Sequence, residues 1–196
     1  MKTFPSTTLV TVTALVSLAG LAGCGSMAGR QVMGAMTGGP YSQATLPDAV
    51  KVPAGHQVVW ETVGVGEITY ECRPKATATS ANEFEWVFVG PKAALNDRSG
   101  KPVGKYFGPP ATWETLDGSK LTATQLAVAP AGSGNLPLQL VKANPAVGMG
   151  ALNGVTHIQR VATRGGTAPG SLCSSATAGT RSVVNYQADY IFWKQG

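Results

Sequence analysis

The chain has 196 residues, of which 43% are hydrophobic and 13% charged, enough for one domain to bury a sizeable core without extra staples. Its formal net charge is +5, from 15 basic and 10 acidic side chains. The bases, among them Arg73, Lys92, Lys105, Arg160, Arg181 and Lys194, are scattered, which excludes the dense footprint of a nucleic-acid binder and leaves at most a mild preference for anionic surfaces or glycans.

Met1 and Lys2 open a short positive region. The apolar stretch that follows, through Leu9, Val12, Leu15, Val16 and Leu18, is too short and interrupted for a membrane-spanning helix. It ends in Leu21-Ala22-Gly23-Cys24, which resembles the lipobox of bacterial lipoproteins. Residues 1–23 are therefore expected to be a signal peptide cut before Cys24. The Cys24 thiol would take diacylglycerol and its amine a further chain, and two or three acyl chains anchor stably. Gly25 supplies no Asp retention signal, so the expected location is the cell envelope, at the outer membrane facing the periplasm or the exterior. Residues 24–46 are rich in Gly, Met, Ser, Thr and Ala and read as a flexible tether. Met27, Met33 and Met36 have no supporting cysteines or histidines there, so no metal role is assigned to them.

The domain, residues 47–196, reads as strands. Val58 to Val63 is short and β-branched around Trp60. Ile68, Tyr70 and Cys72 alternate with Glu67, Thr69, Glu71 and Arg73, a period of two. Phe84, Trp86 and Phe88 alternate with Glu83 and Glu85, and that apolar set is expected to face the core. Pro91 to Leu95 reads as one helical turn with Pro91 at its start. Asn96 to Gly100 is a polar turn, and Asp117-Gly118 a tight hairpin turn between Trp113 and Leu121. Leu136, Leu138 and Leu140 alternate, with Pro137 marking an edge or strand start. Val155 to Thr163 is a further strand. Last, Val184, Tyr186, Ala188, Tyr190 and Phe192 share one face, with Asn185, Gln187 and Asp189 on the other. Helix-period patterns of useful length are absent. The expected fold is all-β, a single-domain sandwich or irregular barrel with only short helical turns.

With Cys24 taken by lipid, Cys72 and Cys173 are left to pair in an oxidising compartment. Neither belongs to a CxxC pair, so a redox site is not expected.

From Gly55 to Phe192 the chain resembles a family of uncharacterised bacterial and fungal proteins, DUF3455. The landmarks are Tyr70-Glu71-Cys72, Trp86 to Pro91, Leu95-Asn96-Asp97, Val103 to Pro109, Trp113-Glu114, Asp117-Gly118-Ser119, Ile158 to Val161, Gly165-Gly166, Cys173 and Ala188-Asp189-Tyr190. Members often carry histidine where this chain has Tyr106, which weakens a histidine-based mechanism there. Some fungal relatives are labelled dehydrogenases. This chain has no Gly-rich phosphate loop opening a helix and no βαβ pattern, and no cofactor is expected.

His56 and His157, the two histidines, lack metal-ligand spacing and read as structural, so no metal site is assigned. Asp97 and Asp117 lack calcium-loop spacing. G-x-S-x-G is absent. The acids of the strands, including Glu67, Glu71, Glu83 and Glu85, read as solvent-facing polar residues rather than a glycosidase pair. Gln159, Arg160 and Asp189 lie in strand-like runs, as a buried polar network or as an ion pair of Arg160 with Asp189 or Glu114. The candidate ligand-binding residues are Tyr106, Trp113, Asp117 and Arg160, rings for stacking and polar groups for directional bonds. The favoured function is a lipid-anchored, non-enzymatic β domain binding a glycan, small ligand or envelope protein. The alternatives are a structural or stress-related envelope protein and a carboxylate-based glycan hydrolase.

Overall fold

A computed structural model describes residues 41–196. The expected signal peptide, Cys24 and the tether up to residue 40 lie outside the described residues. Eight antiparallel strands pair in sequence order and close on themselves: β1 (His56–Pro74), β2 (Phe84–Asn96), β3 (Pro102–Phe107), β4 (Thr112–Thr115), β5 (Lys120–Ala129), β6 (Leu138–Ala143), β7 (Val155–Gly165) and β8 (Arg181–Gln195), with β8 returning to β1. The all-β ring is an irregular barrel. β1 and β8 pair over most of their length, whereas β4 meets its neighbours over only a few residues.

Alternation explains the interior. Tyr186, Ala188, Tyr190 and Phe192 of β8 point inward and are buried, opposite Gly66, Gly64, Thr62 and Trp60 of β1. A side chain at Gly64 would collide with the Tyr190 ring, so that glycine lets an aromatic lie flat on the strand beside it. The two short strands expected near 58–63 and 68–72 are therefore one strand, continuous through Gly64 and Gly66. The Cys72–Cys173 disulfide is formed, joining the end of β1 to the loop before β8.

Three expectations are corrected. Pro91 to Leu95 is not a helical turn but the second half of β2. Ala93 and Leu95 are buried while Lys92 and Ala94 are exposed, and ladders to β1 and β3 hold the segment extended. Leu136, Leu138 and Leu140 do not share a face. Leu136 joins the inner core, while Leu138 and Leu140 pack outside the ring, because β6 starts only after Pro137. Of Phe84, Trp86 and Phe88, which share the inner face of the ladder with Cys72 and Tyr70, Trp86 packs against the inner core as expected, whereas Phe88 stays 50% exposed at the rim. The Trp86 indole N–H donates to the Ser171 carbonyl at 2.9 Å.

A second core lies outside the ring. There Val50 and Val52 cover Leu140, Val161, Ile191 and Trp193. The chain from Tyr41 to Pro53 forms a strap over this patch. Gln43 donates to the Val52 carbonyl at 2.9 Å and accepts from its N–H at 2.8 Å, and the Tyr41 ring meets Trp193 edge-on, centroids 6.0 Å apart. Residues 41–46, placed in the tether by composition, are thus laid against the ring.

Candidate functional site

Directly paired residues of an antiparallel ladder share a face. Tyr190 faces the interior and pairs with Arg160, which pairs with Gln139, which pairs with Val128. A cation and an amide thus face into the ring, and Val128 is 46% exposed, so this part of the interior meets solvent. Gln139 donates to the Gln125 side chain at 2.6 Å. Arg160 donates through Nε and Nη2 to the Pro137 carbonyl at 3.2 and 3.0 Å. Among the described residues no carboxylate lies within ion-pair distance of it.

The ion pair expected between Arg160 and Asp189 or Glu114 does not form. Asp189 pairs in register with Val161, on the outer face, where Arg98 binds it at 2.6 Å and Glu61 at 2.6 Å. Glu114 takes Lys105 at 3.0 Å. Nor does Arg160 share a network with Gln159. The two are neighbours on a strand and point to opposite sides. Gln159, fully buried, donates to the Val50 carbonyl at 2.6 Å and the Gln43 side chain at 3.0 Å, and accepts from the Trp193 indole at 3.0 Å.

Around Arg160 stand four tyrosines. Burial raises the phenol pKa of Tyr70, Tyr106, Tyr186 and Tyr190, and the Arg160 charge is an opposing influence on all four. The Tyr70 hydroxyl donates to the Gly166 carbonyl at 2.7 Å, and the Tyr186 and Tyr190 hydroxyls are 3.2 Å apart. Trp113 packs on Tyr106, ring centroids 4.6 Å apart, and edge-on to Tyr190 at 5.8 Å. Its buried indole N–H has no hydrogen-bond partner among the described residues, against the usual satisfaction of buried donors.

A cavity of about 960 Å³ runs along the outer face of β1, β2, β3 and β8, lined by the side chains of Val65, Ala94 and Phe107, the cations Lys92 and Lys105 and the acid Glu67, while the Tyr106 and Tyr186 rings point to the opposite, inner face. Its size falls at the upper end of the range for small-molecule sites. Of the four residues singled out from sequence, the structure brings Tyr106, Trp113 and Arg160 together. Asp117 stands apart in the β4–β5 turn. Its carboxylate accepts from the Thr115 and Ser119 hydroxyls and from the N–H groups of Ser119 and Ala151, which hold its pKa well below the ordinary carboxylate value. Sequence reasoning missed Gln139, Tyr186, Tyr190 and Lys92. The period of two in β8 was the signal for the tyrosines, but it does not reveal that a guanidinium shares their space.

Two further acids, Glu71 and Glu83, are engaged. Hydrogen bonds from Arg73, then from Arg181, bring the Glu71 pKa down to about 2. Glu83 accepts from Thr79 and Ser80 in the turn before β2. His56 and His157, remote in sequence, are brought ring to ring, centroids 4.8 Å apart.

Residues 53–194 match the model of the family described as protein of unknown function, DUF3455. No curated protein and no solved structure matches the chain.

Proposed function

This chain belongs to the DUF3455 family, whose function is unknown, and from that premise we propose that it is an exported, lipid-anchored envelope protein whose β ring binds a small amphipathic anion without transforming it. Export and anchoring rest on the lipobox-like block ending at Cys24 and agree with a disulfide, which persists in oxidising compartments. Binding rests on one observation: a cavity of about 960 Å³ lies on the outer face of β1, β2, β3 and β8, walled by Val65, Ala94 and Phe107 and carrying Lys92 and Lys105. An apolar wall with two lysines beside a single acid, Glu67, suits a ligand with a hydrocarbon or aromatic body and one anionic group. A carboxylate-based hydrolase is the weaker reading. Glu61 and Asp189 are bridged by Arg98, and Glu71 by two arginines.

Calorimetric titration of the full chain in lipid nanodiscs tests this, comparing a series of alkyl and aryl carboxylates with alcohols of equal carbon number. Carboxylates are expected to bind at least about tenfold more tightly, the equivalent of about 1.4 kcal/mol, and the double substitution Lys92→Gln with Lys105→Gln to erase that preference. Equal affinity for both series, or none for either, overturns the binding reading. Mass spectrometry of the N-terminal peptide tests the anchor, and an unacylated Cys24 overturns it.

A further inference from the structure

We infer that His56 and His157 form a binding site for a divalent first-row transition-metal ion, Cu(II) above all, separate from the cavity that carries Lys92 and Lys105. His56 opens β1 and His157 lies near the start of β7. Although β8 runs between those strands in the ring, the two imidazoles meet with centroids 4.8 Å apart and planes at 88°.

That spacing allows one ion to be shared by two imidazoles. A metal about 2.0 Å from each ring nitrogen lies about 3.2 Å from each ring centre. Ligands at 90° to 109° then place the centres about 4.5 to 5.2 Å apart. The protonation pattern agrees. His56 Nδ1 faces the Pro53 carbonyl at 3.1 Å. A carbonyl only accepts, so Nδ1 carries the hydrogen and the lone pair is on Nε2. His157 Nδ1 lies 3.1 Å from the Thr156 hydroxyl oxygen, and that hydroxyl gives its one hydrogen to the Trp193 carbonyl at 3.2 Å. Hence His157 Nδ1 also donates, and its Nε2 is also the lone pair. Histidines that bind metal through one nitrogen characteristically anchor the other by such a bond. A cavity of about 650 Å³ adjoins both rings, lined by Asn153, Thr156 and Lys142 among others, with room for water to complete the coordination.

Imidazole donors suit copper, nickel and zinc, and the stability order places Cu(II) first. Lys142, the cross-strand partner of His157, is the one charged side chain lining the cavity besides the histidines. Its ammonium opposes a dication, so its removal must strengthen binding. No purely structural histidine pair makes that prediction.

The experiment is a Cu(II) titration of the full chain without an affinity tag, read by electron paramagnetic resonance and by melting temperature. One equivalent is expected, with coupling to two nitrogens and a raised melting temperature. His56→Gln or His157→Gln should weaken binding at least about tenfold, and Lys142→Gln should tighten it about threefold. His56→Gln, at the exposed start of a strand, keeps the test usable if the His157 variant does not fold. Absence of one-to-one binding, or affinity unchanged in both histidine variants, overturns the site.

Discussion

Gln159 and Arg160 are adjacent on β7 and belong to opposite sorts of surroundings. Gln159 points outward beneath the strap, fully buried, and bonds the strap's Val50 and Gln43 together with Trp193. Arg160 points into the ring, half-buried, holding one carbonyl and no acid among the described residues. A polar side chain whose bonds all close within the fold is a fastener, because leaving its partners unpaired in a dry core costs free energy. A charged side chain with bonding capacity left over, beside aromatic rings, is not such a fastener. One step along a strand separates a closed network from a charge with bonds to spare.

The largest expected effect comes from opening the disulfide. Cys72 and Cys173 are 101 residues apart, and a crosslink closing a loop of that size contributes about 5 kcal/mol by chain entropy. Cys72→Ala with Cys173→Ala should lower the free energy of unfolding by about that amount in guanidinium titrations. A loss confined to ligand affinity would mean that the bond serves the rim rather than the fold. Next is Gln159→Leu, which strips bonds from Val50, Gln43 and Trp193 at once and should cost about 3 kcal/mol. A cost below about 1 kcal/mol would show that the strap is held by its apolar contacts alone. Arg160→Gln is the mirror case, expected to change stability by less than about 1 kcal/mol. If it destabilised the protein as much as Gln159→Leu, the contrast between the two faces would collapse.

The smallest effect is a pH dependence at the rim. Hydrogen bonds from Arg73 and Arg181 hold the Glu71 pKa at about 2, against an ordinary value of 4.5. A depressed carboxylate pKa stabilises the fold above the unfolded value, and that gain fades as pH falls through the folded one. The melting-temperature difference between the parent chain and Glu71→Gln should therefore be constant from about pH 6 to 7 and shrink between about pH 4.5 and 2. A difference that grows on acidification would contradict the double arginine clamp.

The alternation in residues 184–192 reads directly as an inward face, and Tyr186, Tyr190 and Phe192 lie there. Asp97 and Asp117 read as turn residues, and in both turns the carboxylate takes nearby hydroxyls and N–H groups. Of the candidate ligand residues, Tyr106, Trp113 and Arg160 meet, but nothing along the chain showed that Arg160 would lack an acid or that Asp117 would stay away. His56 and His157 look unrelated in sequence, separated as they are by most of the domain.

The sequence by itself determined the strand character, the division into two faces and the identity of the paired cysteines, since a period of two is a property of the backbone and needs no partner. Tertiary structure decided what each face meets. The side of β8 that reads as polar through Asp189 turns dry at Ile191 and Trp193 only because the strap folds over it. Arg160 faces tyrosines because the ring closes, β8 lying beside both β7 and β1. Closure is a long-range event, and local alternation says which residues share a surface without saying what will cover it.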